Sequence, residues 1–161
     1  MSSMKKYELT EETKVIGGKT LFRIRALRSF GDIKAGDLGG FIENERNLSH
    51  EGNAWVSGDA RVEDNARVDG DAWVDGNAQV SGDGLINSNN DYLYEKGLGS
   101  HNRPASFFKC KDRHIHVLCG CFDGNLDEFE NKVKEEHGNS KYAKEYLGFI
   151  EVVKTHFEVC Q

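Results

Sequence analysis

A six-residue repeat at residues 52–87 constrains the fold of this chain more than any other feature. Its six units read GNAWVS, GDARVE, DNARVD, GDAWVD, GNAQVS and GDGLIN. In most units Ala and Val stand two positions apart, so an extended backbone points both to one face. The Gly and the Asn or Asp that open most units favour a corner. Each unit therefore predicts one strand and one corner, and Asp64 takes the place of glycine at one of them.

The residues predicted to point outward indicate how many sides the coil has. They are Trp55, Arg61, Arg67, Trp73, Gln79 and Leu85. The two tryptophans are three units apart, so a three-sided coil stacks Trp55 and Trp73 on one face. In such a coil, equivalent strands run parallel at a spacing of about 4.8 Å.

The Gly-Asp-Ala-x-Val-x units resemble the hexapeptide repeats of left-handed parallel β-helices. The preceding stretch, KTLFRIRALRSFGDIKAGDLGGFIENERNLS, resembles the N-terminal segment of hexapeptide-repeat proteins of phages and prophages, which are labelled acyltransferases or polymer-forming proteins. The resemblance covers residues 5–87 and implies a fold and a mobile-element origin better than an activity. It also implies the left-handed sense, since parallel crossovers are otherwise right-handed, and a homotrimer.

The segments around the repeat predict a cap and a separate C-terminal module. Before the repeat, a Gly-Gly turn precedes the last of three predicted strands, Tyr7–Leu9, Lys14–Ile16 and Thr20–Leu27. Ile42 and Leu48 are in phase with Ala54 at intervals of six, which predicts an irregular first coil. After the repeat, a hairpin is expected over 106–122, followed by helices at Leu126–His137 and from Asn139 or Ser140 to Val159.

These elements predict a mostly β chain with a C-terminal α+β part. The fold class is a short left-handed parallel β-helix with an N-terminal β-hairpin cap and a C-terminal ββαα module. The predicted divisions are the cap with the irregular first coil at 1–47, the repeat at 48–88, a polar linker at 89–104 and the module at 105–161.

Charge and hydropathy exclude several classes of partner. The formal net charge of −6 argues against binding to a phosphate backbone, which requires basic faces, and favours a basic partner. The sequence contains no run of about 18 apolar residues, so it predicts no membrane span, and the N-terminus does not predict a secretory signal. The expected compartment is the cytoplasm of a host cell, with a host protein as partner and no cofactor.

Histidines and cysteines in the last third invite a zinc interpretation. His114, His116, Cys119 and Cys121 are the candidates, with Cys110 nearby. However, an extended strand points the two histidines away from Cys119 and Cys121, and the spacings are shorter than those of zinc knuckles. The sequence therefore favours a plain strand with buried cysteines and no metal.

The predicted outer surface of the repeat offers an interface with a partner or between subunits. Tryptophan is enriched in binding hot spots, but Trp55 and Trp73 could also pack under the C-terminal helices. Arg61 and Arg67 point outward, and so does an acidic row formed by Glu63, Asp69 and Asp75. This row could bind calcium, mimic nucleic-acid phosphates or bind a partner, or it could consist simply of solvated turn residues.

Three hypotheses for function follow. The first is a non-enzymatic phage or prophage protein that engages a host macromolecule and inhibits a bacterial defence system, as an anti-CRISPR protein does. The second is an acyltransferase that uses an acyl-CoA thioester, with His50 as the base because it stands in register with Val56. The third is an oligomeric sponge for a nucleotide signal, with Arg61 and Arg67 as the cations.

Overall fold

The computed structural model describes residues 5–99 and 103–158, and the chain divides into two compact units, Met1–Asn89 and Asn90–Gln161. The protein is mostly β, with two helices at its C-terminal end. This confirms the coarse fold class that the sequence predicts.

The N-terminal unit begins with a three-stranded antiparallel arrangement. Strands β1 (Tyr7–Ile16) and β2 (Lys19–Ala26) form a hairpin, and β3 (Leu38–Ile42) pairs with β2. The predicted Gly-Gly turn is confirmed, with a positive φ at both residues. Two strands were expected before that turn, but β1 is continuous. Its pairing with β2 is shifted by a bulge between Leu9 and Thr13, which is where the sequence suggests a break.

The repeat forms six two-residue strands that pair in parallel with the strand three units later. Each pair is offset by 18 residues, so Trp55 pairs with Trp73, Arg61 with Gln79 and Arg67 with Leu85. This confirms that one turn of the coil contains three strands. The strands are β4 (Trp55–Val56), β5 (Arg61–Val62), β6 (Arg67–Val68), β7 (Trp73–Val74), β8 (Gln79–Val80) and β9 (Leu85–Ile86).

The interior of the repeat consists of small and branched side chains that stack in columns, with one column of each kind on each of the three sides. The five alanines are fully buried, and the branched residues two positions later are at most 1% exposed. Burial of a Val or Ile side chain stabilises a fold by about 1.5–3 kcal/mol, so these columns hold the coil together. The buried members are Ala54, Ala60, Ala66, Ala72, Ala78, Val56, Val62, Val68, Val74, Val80 and Ile86.

The corner at Asp64 shows how a residue other than glycine is accommodated. Asp64 has a φ of 59°, in the left-handed region that its neighbours fill with glycine. Its carboxylate accepts a hydrogen bond of 3.0 Å from the backbone N–H of Gly82 and pairs with Lys19. Burial raises the pKa of Asp64, but the hydrogen bonds from Lys19 and Gly82 outweigh it and hold the pKa below its ordinary value. These bonds offset the cost of the strained backbone.

The first coil does not follow the predicted phase. Leu48 forms a parallel bridge with Val68, and Ile42 pairs with Val62. Both therefore occupy the position that valine has in the repeat units. The expectation that they share the phase of Ala54 is therefore wrong. The cause is a two-residue excess between Leu48 and Val56, which are eight rather than six positions apart. His50 lies within this excess and is not equivalent to Val56.

The C-terminal unit is a four-stranded antiparallel sheet followed by two helices. The strands are adjacent in chain order: β10 (Tyr92–Leu98), β11 (Arg103–Lys109), β12 (Ile115–Cys119) and β13 (Phe122–Asn125). The linker expected at 89–104 is wrong over residues 92–98, because Tyr92, Leu93 and Tyr94 pair with residues 106–108 of β11. The unit is thus ββββαα, with one strand before and one after the predicted hairpin.

The first helix begins where the sequence predicts, and the second begins one residue after the predicted Ser140. Helix α1 (Leu126–His137) is capped by the Asn125 side chain, and α2 (Lys141–His156) by the hydroxyl of Ser140. The second helix ends before the predicted Val159, which lies outside the described residues. Both helices pack on the sheet through a core that includes Phe107, Val117, Phe129, Tyr146 and Ile150.

Candidate functional site

Trp55 is a core residue of the N-terminal unit and not part of an outer surface. Its side chain is only 1% exposed and packs edge-on against Phe30 and Tyr7, at ring-centroid distances of 5.3 and 6.4 Å. The interface role expected for Trp55 is therefore wrong, because the N-terminal segment covers that level of the coil. Among the described residues, no group accepts a hydrogen bond from its indole N–H.

Trp73, one level further along the coil, remains partly exposed. Its flanking inward residues, Ala72 and Val74, are fully buried, so the alternating residues Asp71, Trp73 and Asp75 share the outer face. Both aspartates are exposed. We call these three residues the Asp-Trp-Asp strip. It presents one aromatic ring between two carboxylates on a rigid backbone.

The predicted acidic row is divided between partly buried and exposed groups. Glu63 lies 3.8 Å from the Lys19 ammonium, and Asp69 lies 3.3 Å from the Arg67 guanidinium. Burial raises the pKa of Glu63 above its ordinary value. Asp75 is exposed on the second coil. Of the three acidic residues proposed for partner binding, only Asp75 is thus both exposed and adjacent to Trp73.

Basic residues of the hairpin neutralise carboxylates of the first coil. Besides the pairs of Lys19, Arg23 lies 3.4 Å and Lys14 lies 4.0 Å from the Asp59 carboxylate. Asp71 and Asp83, at two corners of the second coil, are exposed and form no ion pair within residues 5–99 and 103–158, although Asp71 accepts a hydrogen bond of 3.4 Å from the Asn53 N–H. The exposed carboxylates of Asp71, Asp75 and Asp83 therefore all lie on the second coil.

Arg61 and Arg67 do not converge on one site. Arg61 belongs to the sheet that contains β3, β5 and β8, whereas Arg67 belongs to the separate pair of β6 and β9. Arg67 is also engaged by Asp69. Within one chain, these two cations therefore do not form the phosphate site that a nucleotide sponge requires.

His50 is held by hydrogen bonds at both ring nitrogens. Its Nδ1 accepts a bond of 3.1 Å from the backbone N–H of Lys6, so its Nε2 carries the proton that is donated to Glu45 over 2.9 Å. Its ring also stacks on Tyr7 at 4.1 Å. A general base needs a free lone pair, and here that lone pair is occupied. This arrangement favours a structural role over the catalytic role expected for His50 in an acyltransferase.

Lys6 is a buried cation that the sequence gives no reason to single out. Its ammonium donates to the Ala54 carbonyl over 2.5 Å and lies 3.5 Å from the carbonyls of Glu51 and Gly52. Burial, assisted by repulsion from Arg28, lowers its pKa to about 8. The Lys6 ammonium thus takes the place of the backbone N–H groups that a preceding coil would direct at these carbonyls.

The C-terminal hairpin brings together a different set of metal-ligating residues from the one considered on sequence. One ligand atom from each of Cys110, His114 and His116 lies within 4.8 Å of the other two. Cys119 and Cys121 are absent from this cluster, as the alternation of the strand predicts. They line a separate cleft of about 670 Å³ together with Phe122, Phe129 and Tyr146, among other residues. The sequence could have placed Cys110 opposite the two histidines only if the residues that form the hairpin turn had been known.

Comparisons with other proteins do not add a family. Neither a scan with protein-family models nor a search of curated proteins finds a match to this chain. Within the described parts of the chain, neither helix is both long enough and apolar enough to cross a membrane.

Proposed function

We propose that this chain is a non-enzymatic binding protein that engages a basic segment of a host protein through the Asp-Trp-Asp strip. The phage or prophage setting is inferred from the hexapeptide-repeat resemblance, and inhibition of a bacterial defence system such as CRISPR-Cas is the role we infer from that setting. The same resemblance supports a left-handed coil, assembly as a homotrimer and action in the host cytoplasm.

The Asp-Trp-Asp strip is the observation that carries this proposal. A Lys or Arg side chain over the Trp73 ring gains a cation–π interaction, worth about 0.5–2 kcal/mol. The carboxylates of Asp71 and Asp75, on either side of the ring, add charge-assisted hydrogen bonds to the same cation. Because the backbone is fixed by the parallel pairing of Trp73 with Trp55, little ordering of the strip accompanies binding.

The distribution of charge supports a basic partner. Lys14, Lys19 and Arg23 pair with carboxylates of the first coil, and the second coil presents three exposed carboxylates, those of Asp71, Asp75 and Asp83. Proteins that act on nucleic acids carry the basic surfaces that such a coil attracts, and RNA-guided effectors hold their heteroduplex in a positively charged channel. Three copies in a trimer raise the avidity for a partner that has several sites.

Affinity enrichment from a bacterial lysate tests this proposal when it is quantified across matched variants. Trp73→Ala and the double variant Asp71→Asn, Asp75→Asn remove the ring and the carboxylates in turn. Asp83→Asn removes one exposed carboxylate of the same coil outside the strip and serves as the control. We expect a host protein that is retained by the wild type and Asp83→Asn and lost with both strip variants.

Salt dependence separates this mode of binding from adhesion through apolar surface. The attraction between exposed charges weakens as ionic strength rises, so the retained protein should elute with salt. Retention that is equal for the wild type and both strip variants would contradict the proposed interface.

A further inference from the structure

We propose that Cys110, His114 and His116 bind a zinc-class divalent cation, with Asp112 and Asp123 as hydrogen-bonding partners of the two histidines. The site lies at one end of the β11–β12 hairpin, within the C-terminal unit. It is independent of the Asp-Trp-Asp strip and of the binding function proposed for the repeat.

The turn of the hairpin places the three ligands side by side. The backbone N–H of Cys110 donates to the His114 carbonyl over 3.0 Å, and the N–H of Arg113 donates to the Cys110 carbonyl over 2.8 Å. Cys110 and His114 therefore face each other across the turn. His116 is two residues further along β12, so its side chain lies on the same face as that of His114.

The distances within the cluster suit a tetrahedral metal. His114 Nε2 and His116 Nδ1 are 3.3 Å apart. Two nitrogens at the usual Zn–N distance of about 2.0–2.1 Å and a tetrahedral angle are separated by about 3.3 Å. A ligand atom of Cys110 lies within 4.8 Å of both rings, so a small movement of its side chain brings the sulfur to zinc.

The remaining nitrogen of each ring already contacts a carboxylate. Asp112 Oδ1 is paired with His114 Nδ1, and Asp123 Oδ1 lies 2.5 Å from His116 Nε2. Histidines that bind zinc commonly donate their other N–H to a carboxylate, which fixes the tautomer and strengthens the ligand. In the tautomers that donate to these carboxylates, His114 Nε2 and His116 Nδ1 both direct a lone pair into the space between them, where a shared cation would bind.

The chemistry of the donors selects the class of metal. Two imidazoles and one thiol match zinc and similar transition metals, whereas calcium and magnesium prefer oxygen ligands. Three protein ligands leave a fourth tetrahedral position for water or for a side chain of a binding partner. The histidine side chains are partly exposed, at 39% for His114 and 22% for His116, so that position is accessible from solvent.

Metal titration of the untagged, reduced chain tests the site directly. We expect one equivalent of Zn²⁺ to remain bound after dialysis, and Co²⁺ to give the thiolate-to-metal charge-transfer absorption that only a sulfur ligand produces. Cys110→Ser should remove this absorption and weaken Zn²⁺ binding at least 100-fold. Cys121→Ser, which alters an exposed cysteine outside the cluster, should leave both unchanged.

Outer-sphere variants provide a second readout that does not depend on the thiol. Asp123→Ala removes the carboxylate beside His116 and should weaken Zn²⁺ binding about 10- to 100-fold without abolishing the cobalt absorption. Far-UV circular dichroism confirms that each variant is folded. Failure of the folded wild type to bind Zn²⁺, or binding that Cys110→Ser leaves unaltered, would overturn the proposal.

Discussion

Substitution of alanine at two corner glycines tests how closely successive levels of the coil approach each other. Gly70 and Gly82 have φ values of 62° and 57°, so alanine is strained by the backbone at both positions to the same extent. A Cβ at Gly70 would stand 2.5 Å from the Asn87 carbonyl oxygen, whereas a Cβ at Gly82 meets no atom within 4 Å. The pair therefore isolates the contact between levels from the intrinsic preference of glycine.

The expected costs follow from these two geometries. Alanine in the left-handed region costs about 1 kcal/mol, which is the whole penalty expected for Gly82→Ala. In Gly70→Ala, the Asn87 carbonyl must also retreat by nearly 1 Å. This displacement strains the adjacent hydrogen bond from the Asp69 N–H to the Ile86 carbonyl, 2.9 Å long, and its loss costs a further 1 kcal/mol or so. The displaced carbonyl also loosens the packing of the adjacent level. We therefore expect Gly70→Ala to lower the free energy of unfolding by about 3 kcal/mol in total.

Urea denaturation followed by tryptophan fluorescence measures both costs. The only two tryptophans, Trp55 and Trp73, belong to the N-terminal unit, so the signal reports on the repeat and not on the C-terminal unit. Gly58→Ala should fall between the other variants, because its Cβ would stand 3.1 Å from the Gly76 carbonyl. Equal free energies of unfolding for Gly70→Ala and Gly82→Ala would refute the close approach of the levels.

Two further predictions concern the residues that cover the coil. Trp55→Ala should lower the free energy of unfolding by about 3–5 kcal/mol and Trp73→Ala by a smaller amount, about 1–2 kcal/mol, as measured by circular dichroism during denaturation, because Trp55 is fully buried and Trp73 only partly. A pKa of about 8 for Lys6 in the folded chain, against an ordinary value of 10.5, means that the unfolded chain binds more protons between these values. The wild type should therefore gain about 2 kcal/mol relative to Lys6→Met between about pH 8 and pH 10, and a flat difference across that range would contradict the burial of a charged Lys6.

The repeat could be predicted from sequence because each of its levels obeys the same local rules. The spacing of Ala54 and Val56 determines which side chains are buried, and the interval between Trp55 and Trp73 predicts the number of sides. Helix α1 could likewise be predicted, since the Asn125 cap and Gly138 mark its ends locally.

The features that escaped prediction depend on contacts between segments that are distant in sequence. Burial of Trp55 requires Phe30 and Tyr7 to fold over it, which no pattern within the repeat indicates. The phase of Leu48 was misassigned because the two extra residues before Val56 carry no local signal.

The metal cluster was missed for a related reason. Alternation along one strand correctly separates His114 and His116 from Cys119 and Cys121. Cys110, however, joins the histidines across a turn whose geometry, with a positive φ at Arg113, is not evident from its residues. Alternation along one strand shows which face each side chain lies on, whereas contacts across a hairpin can be predicted only when the pairing register of its two strands is known.

Native mass spectrometry of the protein recovered gently from bacterial cells tests the central claim, binding to a host protein through the Asp-Trp-Asp strip, most directly. One spectrum gives the number of copies of this chain, any small ligand and any bound protein. We expect a trimer that carries a host protein for the wild type, and the same trimer without that protein for Trp73→Ala. A complex that persists in Trp73→Ala, or a chain that carries only a ligand of a few hundred daltons, would contradict the account.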